Sequence, residues 1–417
     1  MRSISASPEL PQGLDRLLSE IRRYLYLPDP SPLLVTLGAV AANRLPGNPV
    51  WLILVGPSAC GKTQMLELLA GLPSARIVST IASPAALLSG TFRKDAPPGG
   101  SGGLLRELGL NGILLMTDMA GMLALPAISL QQVLAAFRDI YGGRWVRPIA
   151  GGGGRRLIWG PQKAGEPFGH LTFLGAATPA IDRHQRLNRE LGERWLYFRF
   201  PASDSLGETA RALQNKDPLE VNRILRGRVA GFFRTLAPRP KRDWTPTEER
   251  RFTAMASLSV RLRSPVRHSL EGVAEAMEAE RPQRLATVLG QLALGLEAIG
   301  LGEAERWPLI AKVALDSTPR LAAELVRVLH QLTPPAEVLG LRDLAFHLKQ
   351  WGRSQFLVQR IVEDLQIHGV VEVFRSGRPP KSITMDHAVE TGGPELSVGL
   401  SPFTRHCLEQ GWDWTAS

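Results

Sequence analysis

The sequence predicts an α/β fold: parallel strands flanked by helices in its first half, helices through its middle, and a small helix–helix–hairpin module near its C-terminus. Three observations predict it. The apolar run Trp51-Leu52-Ile53-Leu54-Val55 leads at once into Gly56-Pro57-Ser58-Ala59-Cys60-Gly61-Lys62-Thr63, and a helical pattern follows from Gln64 to Ala70. Two further apolar runs, Gly112–Met116 and Leu171–Ala177, read as buried parallel strands ending in Thr117-Asp118 and Thr178-Pro179. Beyond Thr333-Pro334-Pro335, two helical patterns, a strand, a basic turn and a return strand follow in order.

The first observation carries chemistry. Strand, G-x-x-x-x-G-K-T and helix N-terminus, in that order, make a phosphate-binding P-loop. Successive backbone N–H groups from Gly56 to Gln64 turn inward around β- and γ-phosphates, and the helix dipole adds to the field. Lys62 reaches the terminal phosphates and Thr63 offers its hydroxyl to Mg²⁺, so ATP and Mg²⁺ are the expected ligands.

Composition bounds the rest. At 417 residues the chain is long enough for two or three domains, and 44% hydrophobic residues can fill their cores. Two cysteines, Cys60 and Cys407, offer no disulfide framework and fit a reducing cytoplasm. Met1–Ile4 lacks the apolar core of a signal peptide, and the longest greasy run, Leu33–Ala42, is too short to span a bilayer. A net charge of +10 favours an anionic partner, with nucleic acid leading.

Residues 13–43 carry two helical patterns, Leu14–Leu25 and Pro32–Asn43, split by Pro28-Asp29-Pro30. Ala75–Thr80 reads as a second strand, Ser83-Pro84-Ala85 opens a short helix, and residues 93–103 form a loop rich in Gly and Pro. Asp118, at the end of its strand, is placed to hold the Mg²⁺ shell or orient the attacking water, or else simply starts a turn. Met119 stands where many such ATPases carry a second acid, which leaves the general base open, with Asp139 and Glu107 nearest in sequence. Ser129–Ile140 is an amphipathic helix. It leads into Arg144-Trp145-Val146-Arg147, the glycines 151–154, and Arg155-Arg156-Leu157-Ile158-Trp159, a β-hairpin. Arg144, Arg147, Arg155 and Arg156, with the tryptophans, either contact a nucleic-acid backbone or flank a hairpin whose tryptophans pack below. Thr178 presents a hydroxyl at the same sheet edge as Asp118, and Glu193-Arg194 opens the strand Trp195–Phe200.

This order of P-loop, acid-ended strand, helix, hairpin, polar-ended strand and Arg-bearing strand start resembles an AAA+ ATPase core, in particular the minichromosome-maintenance helicase branch. Ala176-Ala177-Thr178-Pro179 is similar to the sensor-1 turn of those helicases, with Thr178 where they place Asn. Glu193-Arg194-Trp195 resembles their arginine finger and Pro282-Gln283-Arg284-Leu285 their sensor-2 helix, which implies Arg194 and Arg284 as nucleotide contacts. An arginine buried against a carboxylate is the alternative for both. Ser101–Arg106, Thr117-Asp118-Met119, Phe137–Tyr141 and Leu191–Arg194 are also similar to uncharacterised ATPases of phages and integrated mobile elements. The resemblance implies a ring, a hexamer, in which a neighbour's arginine completes each site.

The domains expected are a helical lead-in (1–48), an AAA+ nucleotide core (49–204), an α-helical lid (205–332), a winged helix-turn-helix (338–387) and a patternless, loose tail (388–417). Arg261, Arg263 and Arg267 cluster on one helix within the lid, facing phosphate or DNA, or forming a solvated basic face. In the winged helix, Arg353, Gln355 and Gln359 face the major groove, while Arg375, Arg378 and Lys381 sit on a wing whose return strand is Ser382–Met385. Such modules also serve as protein–protein wedges. Two functions remain open. One is an oligomeric ATPase that unwinds, loads or remodels DNA, in replication of a mobile element. The other is an ATP-dependent switch or transcriptional regulator with little turnover. No membrane partner is expected.

Overall fold

A computed structural model describes residues 12–89, 102–148, 156–183, 194–201, 217–237, 242–264, 266–268, 274–276, 281–332, 338–348, 355–376 and 395–412. The chain divides into two compact units, residues 1–243 with 287–313, and residues 244–286 with 314–417.

The first unit opens with helix α1 (Gln12–Tyr24) and helix α2 (Ser31–Ala42). Apolar residues surround α2 on every side, so it is a core element, buried from Pro32 to Ala42. Then come β1 (Trp51–Val55), α3 (Lys62–Leu68), β2 (Ala75–Val78), α4 (Pro84–Leu87), α5 (Leu104–Leu108) and β3 (Ile113–Met116). After them follow α6 (Ala120–Leu123), α7 (Ala127–Tyr141), the hairpin strands β4 (Trp145–Pro148) and β5 (Arg156–Trp159), β6 (Thr172–Ala177) and β7 (Trp195–Arg199).

Five of these strands form a sheet in the order β2-β3-β6-β1-β7, with every neighbouring pair parallel. β1, β3 and β6 are buried along their whole length, as strands covered on both faces must be. Parallel strands deliver all their C-terminal ends to one edge, and that edge carries the polar residues singled out in the sequence.

An aromatic cluster fixes the other end of the sheet. The Trp51 ring meets Phe137 edge-on at 5.5 Å and Tyr141 at 5.1 Å, and Phe173 stacks on Trp195 at 5.3 Å. Trp51 is fully buried, and its indole N–H donates to the Leu171 carbonyl at 2.7 Å. Each such ring pair adds about 1 kcal/mol beyond the area it buries. Asn43, just after α2, donates to the His170 carbonyl (2.9 Å) and to Thr172 Oγ1 (3.1 Å), pinning the helix end to the start of β6.

Helix Pro218–Thr235, within the span expected to form the lid, lies in this first unit. Its Asn222 accepts from Gln64 and donates to Glu67 Oε2 (2.7 Å), while Arg226 Nε donates to the Glu67 carbonyl (2.9 Å). The expected lid, residues 205–332, is therefore divided between the two units. Thr287–Val313, from the helices Gln283–Ala298 and Glu303–Asp316, also belongs to the first unit. There Gly38 of α2 and Gly295 allow close approach: a Cβ on Gly295 would lie 2.0 Å from the Gly38 carbonyl oxygen.

The second unit contains helix Pro246–Arg263, opened by a reciprocal Thr245/Glu248 capping box, and a short antiparallel pair, β8 (Val266–His268) with β9 (Ala274–Ala276). Helix Arg320–Leu332, β10 (Leu339–Gly340), helix Leu341–His347, helix Gln355–Ile367, β11 (Val371–Ser376), β12 (Glu395–Leu400) and helix Pro402–Gly411 follow. The sheet order is β10-β12-β11, antiparallel.

The tail departs from expectation. Residues 395–412 are structured: Val398 and Leu400 are buried on β12, Ser401 Oγ accepts the Thr404 N–H to cap the last helix, and Trp412 is buried. Alternating Leu396, Val398 and Leu400, then a Ser-Pro helix start, are the local causes. Arg261 is also committed within this unit rather than facing solvent. Its guanidinium lies 3.5 Å from the Phe403 ring centre, and it donates to the His368 carbonyl. Burial pushes the Cys407 thiol up to about 11, as for a core cysteine with no chemical task.

Candidate nucleotide-binding site

The loop between β1 and α3 sits at the C-terminal edge of the sheet, next to its middle. Its first residue, Gly56, donates its N–H to the Ala177 carbonyl at 3.2 Å, and on the other side the Phe200 N–H donates to the Val55 carbonyl at 2.8 Å. A Cβ on Gly56 would lie 2.7 Å from Cys60 Sγ and 3.0 Å from Phe200 Cβ, so only glycine fits. Gly61 has φ 85°, with open space where a Cβ would stand. Ala59 has φ 64°, the one non-glycine residue with positive φ among those described. Holding alanine there costs on the order of 1 kcal/mol, strain of a kind that clusters at ligand clamps. Left-handed residues on both sides of Cys60, which is not left-handed, turn neighbouring N–H groups toward a common point, the geometry of an anion nest.

Lys62 opens α3 and is 8% exposed, its ammonium donating to the Gly56 carbonyl at 2.9 Å and to the Pro57 carbonyl. Thr63 is exposed, and its hydroxyl donates to the Thr117 carbonyl at 3.3 Å, tying the start of α3 to the end of β3. Asp118 is exposed next to that contact. One of its carboxylate oxygens accepts the Ala120 N–H at 2.9 Å, so it does start a turn. The Met119 N–H donates to the Ala176 carbonyl, and Thr178 lies exposed just beyond β6. β6 pairs with β3 on one side and β1 on the other, so Thr117-Asp118, Thr178 and Gly56 occupy neighbouring strand ends. Hydroxyl and carboxylate oxygens are the hard donors Mg²⁺ selects, and the loop's convergent N–H groups suit phosphate oxygens. The residues present therefore fit both groups.

Arg194 lies elsewhere. It directly precedes β7, and Trp195 pairs with Trp51, so it is at the opposite end of the sheet from its own chain's loop. Five strand residues put roughly 16 Å between the two ends. Its guanidinium sits 5.6 Å from the centre of the Tyr141 ring. Asp139, two residues before Tyr141, is at that same far end, and Glu107 lies on α5, which leads into the start of β3. Neither acid reaches the loop's edge of the sheet, and Met119 is fully buried. Arg284 is exposed on the first turn of its helix, in the second unit.

Of the two readings of the hairpin, the tryptophans follow the second. Trp145 faces Trp159 across it, both are buried, and Trp159 donates to the Gly109 carbonyl at 2.9 Å. The tryptophans are packed below the hairpin and present no stacking face. Arg147 is tied to the Leu88 carbonyl, Arg144 is exposed but its Nε donates to the Pro161 carbonyl at 3.0 Å, and Arg156 is exposed. In the second unit Gln355 is exposed, Gln359 donates to Glu363 at 3.0 Å, and Arg375 is on β11 opposite Leu396. Arg155, Glu193, Arg353, Arg378, Lys381, the glycines 151–154 and the return strand 382–385 lie outside the described residues.

Two features at the loop's edge escaped the sequence reading. Arg199, the last residue of β7, makes a two-pronged ion pair with Asp182 (2.9 and 2.8 Å). The Gln64–Asn222–Glu67 chain joins α3 to helix Pro218–Thr235. Both join residues distant in sequence and carry no local pattern.

Among the described residues no three His, Cys, Asp or Glu side chains group as a metal cluster, and no helix is long and apolar enough to cross a membrane. No protein-family model and no curated protein matches the chain. Among solved structures, the apo structure of the NrS-1 C-terminal region is similar at 13% identity and TM-score 0.30, covering 96% of this chain and 78% of that one. NtrX from Brucella abortus, in complex with ATP, is similar at 15% identity and TM-score 0.27, covering 84% and 72%. Likenesses this distant assign neither a family nor an activity.

Proposed function

We propose that this chain is an oligomeric P-loop ATPase of AAA+ type that couples ATP binding and hydrolysis to work on DNA. The observation that carries the reading is the edge of the sheet. A glycine-rich loop with two left-handed residues, the buried Lys62, Thr63, Asp118 and Thr178 all follow the C-terminal ends of β3, β6 and β1, three consecutive strands of the sheet. The loop N–H groups and Lys62 would hold the β- and γ-phosphates, and Thr63 and Asp118 the Mg²⁺. Mg²⁺ supplies charge neutralisation of the transferring phosphoryl group. Thr178 would hydrogen-bond the γ-phosphate or the attacking water.

Arg194, remote from its own loop, would act on a neighbouring copy, which makes the site one shared between subunits. Its planar five-donor head suits the charge that spreads over γ-oxygens. The net charge of +10, the exposed Arg144 and Arg156, and the order helix, short strand, helix, helix, β11, β12 in the second unit support DNA as the partner. That order is the one a winged helix requires, with Gln355 and Gln359 on its third helix. A mobile-element setting rests on the sequence resemblance alone.

A second reading is favoured by one observation. Neither Asp139 nor Glu107 reaches the loop's edge of the sheet, and Met119 is buried, so none of the acids considered can join Asp118 there as general base. An ATP-dependent switch with negligible turnover follows if Asp118 cannot serve both tasks. ATP turnover by wild type, Lys62→Ala and Asp118→Asn, with and without DNA, tests both. DNA-stimulated turnover lost in both variants supports the motor. ATP binding lost in Lys62→Ala, with wild-type turnover at the variants' level, supports the switch. No ATP binding by wild type removes both.

A further inference from the structure

The geometry points to Arg199 and Asp182 as a positioning pair that holds Thr178 against the phosphate loop. The inference rests on the nucleotide reading above and adds a pair of residues to it. β6 and β7 flank β1 on its two sides, with Ala177 and Arg199 both opposite Val55 in register. Asp182 sits on the one-turn helix Pro179–Arg183 directly after Thr178, and Arg199 ends β7. An ion pair between them must therefore arch over the end of β1, where the phosphate loop begins.

The arch is well made. Each terminal guanidinium nitrogen donates to one carboxylate oxygen, at 2.9 and 2.8 Å, and the Arg199 side chain is only 14% exposed. The turn it grips is stiff: the Ile181 N–H donates to the Thr178 carbonyl at 3.0 Å and Ile181 is buried. Residue 200, next to Arg199, supplies both the N–H that bonds Val55 and the Cβ that limits Gly56 to glycine. One ion pair thus fixes Thr178 and one wall of the loop relative to each other. Two parallel N–H···O bonds set orientation as well as distance, which an ammonium on a flexible stem does not. Arg199 and Asp182 need touch no phosphate to do this.

The test compares wild type with Arg199→Lys, Asp182→Asn and the exchanged pair Arg199→Asp with Asp182→Arg. Asp182→Asn keeps size and shape, so it guards against a variant that fails to fold. For the single variants the expected result is kcat lowered about tenfold or more with KM and the Kd of a fluorescent ATP analogue within about twofold, since misplacement of a reacting partner costs rate rather than binding. The exchanged pair should recover much of the loss. Hydrogen exchange over residues 178–183 gives a readout independent of turnover: ATP should slow it in wild type and not in Asp182→Asn.

Single variants with wild-type kcat and wild-type protection overturn the pair's role and leave the nucleotide reading intact. So does a fall in kcat that merely follows a fall in ATP affinity. A wild type that binds no ATP overturns both.

Discussion

Gly56→Ala is the sharpest perturbation of the phosphate loop that the structure offers. The new Cβ would lie 2.7 Å from Cys60 Sγ and 3.0 Å from Phe200 Cβ, both inside normal contact distance. Phe200 cannot retreat freely, because its backbone N–H is bonded to the Val55 carbonyl at 2.8 Å. Overpacking of this kind costs about 2 kcal/mol, which in a unit of this size lowers Tm by about 4–8 °C. The cost divides between two neighbours, and that division can be measured. In a Cys60→Ala background the tighter contact disappears and only the milder 3.0 Å contact with Phe200 remains. The second substitution should therefore recover at least half of the lost Tm, a non-additivity expected only of residues in contact. Thermal denaturation of the four proteins, without nucleotide, reads it directly. An unchanged Tm in Gly56→Ala, or the same loss in both cysteine backgrounds, would refute the described packing of the loop.

Other outcomes follow from the same geometry. Gly295→Ala sets a Cβ 2.0 Å from the backbone oxygen of Gly38, which no side-chain motion relieves, so it should cost more than about 3 kcal/mol or abolish folding; Gly38→Ala, which meets the Leu296 side chain, should be milder by Tm and soluble yield. Burial pushes the Glu297 carboxyl up, but hydrogen bonds and charge from Arg242, then from Arg306, outweigh it and hold it below the usual range. Its stabilisation is thus present above its unfolded value of about 4.3 and is lost as pH falls through the depressed folded value. Glu297→Gln, which removes the carboxylate that the 3%-exposed Arg306 is paired with, should cost about 3 kcal/mol at neutral pH, with the gap in Tm from wild type closing below about pH 4. Removing residues 395–417 takes away β12, which joins β10 to β11, and the last helix; limited proteolysis should then cut the second unit far faster than in the full chain. Thiol labelling should find Cys60, which is half-buried, reacting first and Cys407 only on unfolding.

How much of this was legible beforehand depended on how local the cause is. The strand–loop–helix at 51–68 was readable because an apolar run, two glycines and a helical period stand side by side in the chain. So was α2, whose apolar residues cover every face. The order of the sheet was not, since nothing local tells β6 to insert between β1 and β3, and that insertion is what brings Thr178 beside the loop. Trp145 and Trp159 could be assigned to a hairpin by alternation but not to its packed face. Residues 395–412 were legible and were overlooked: alternation at 396, 398 and 400 and the Ser401-Pro402 cap are ordinary signals, obscured by the low-pattern stretch before them. Arg199 with Asp182 is the opposite case, a contact that exists only once β6 and β7 have been placed around β1.

The central claim is a phosphate site completed by a second copy of the chain, and mixing tests it most directly. Lys62→Ala keeps a good Arg194 but cannot grip phosphate, and Arg194→Ala keeps a good loop but lacks the donor for its neighbour. ATP turnover should be near zero for each alone, rise when the two are mixed, and in wild type increase with protein concentration. A mixture no more active than its components, or an Arg194→Ala protein as active as wild type at every concentration, would contradict the shared site.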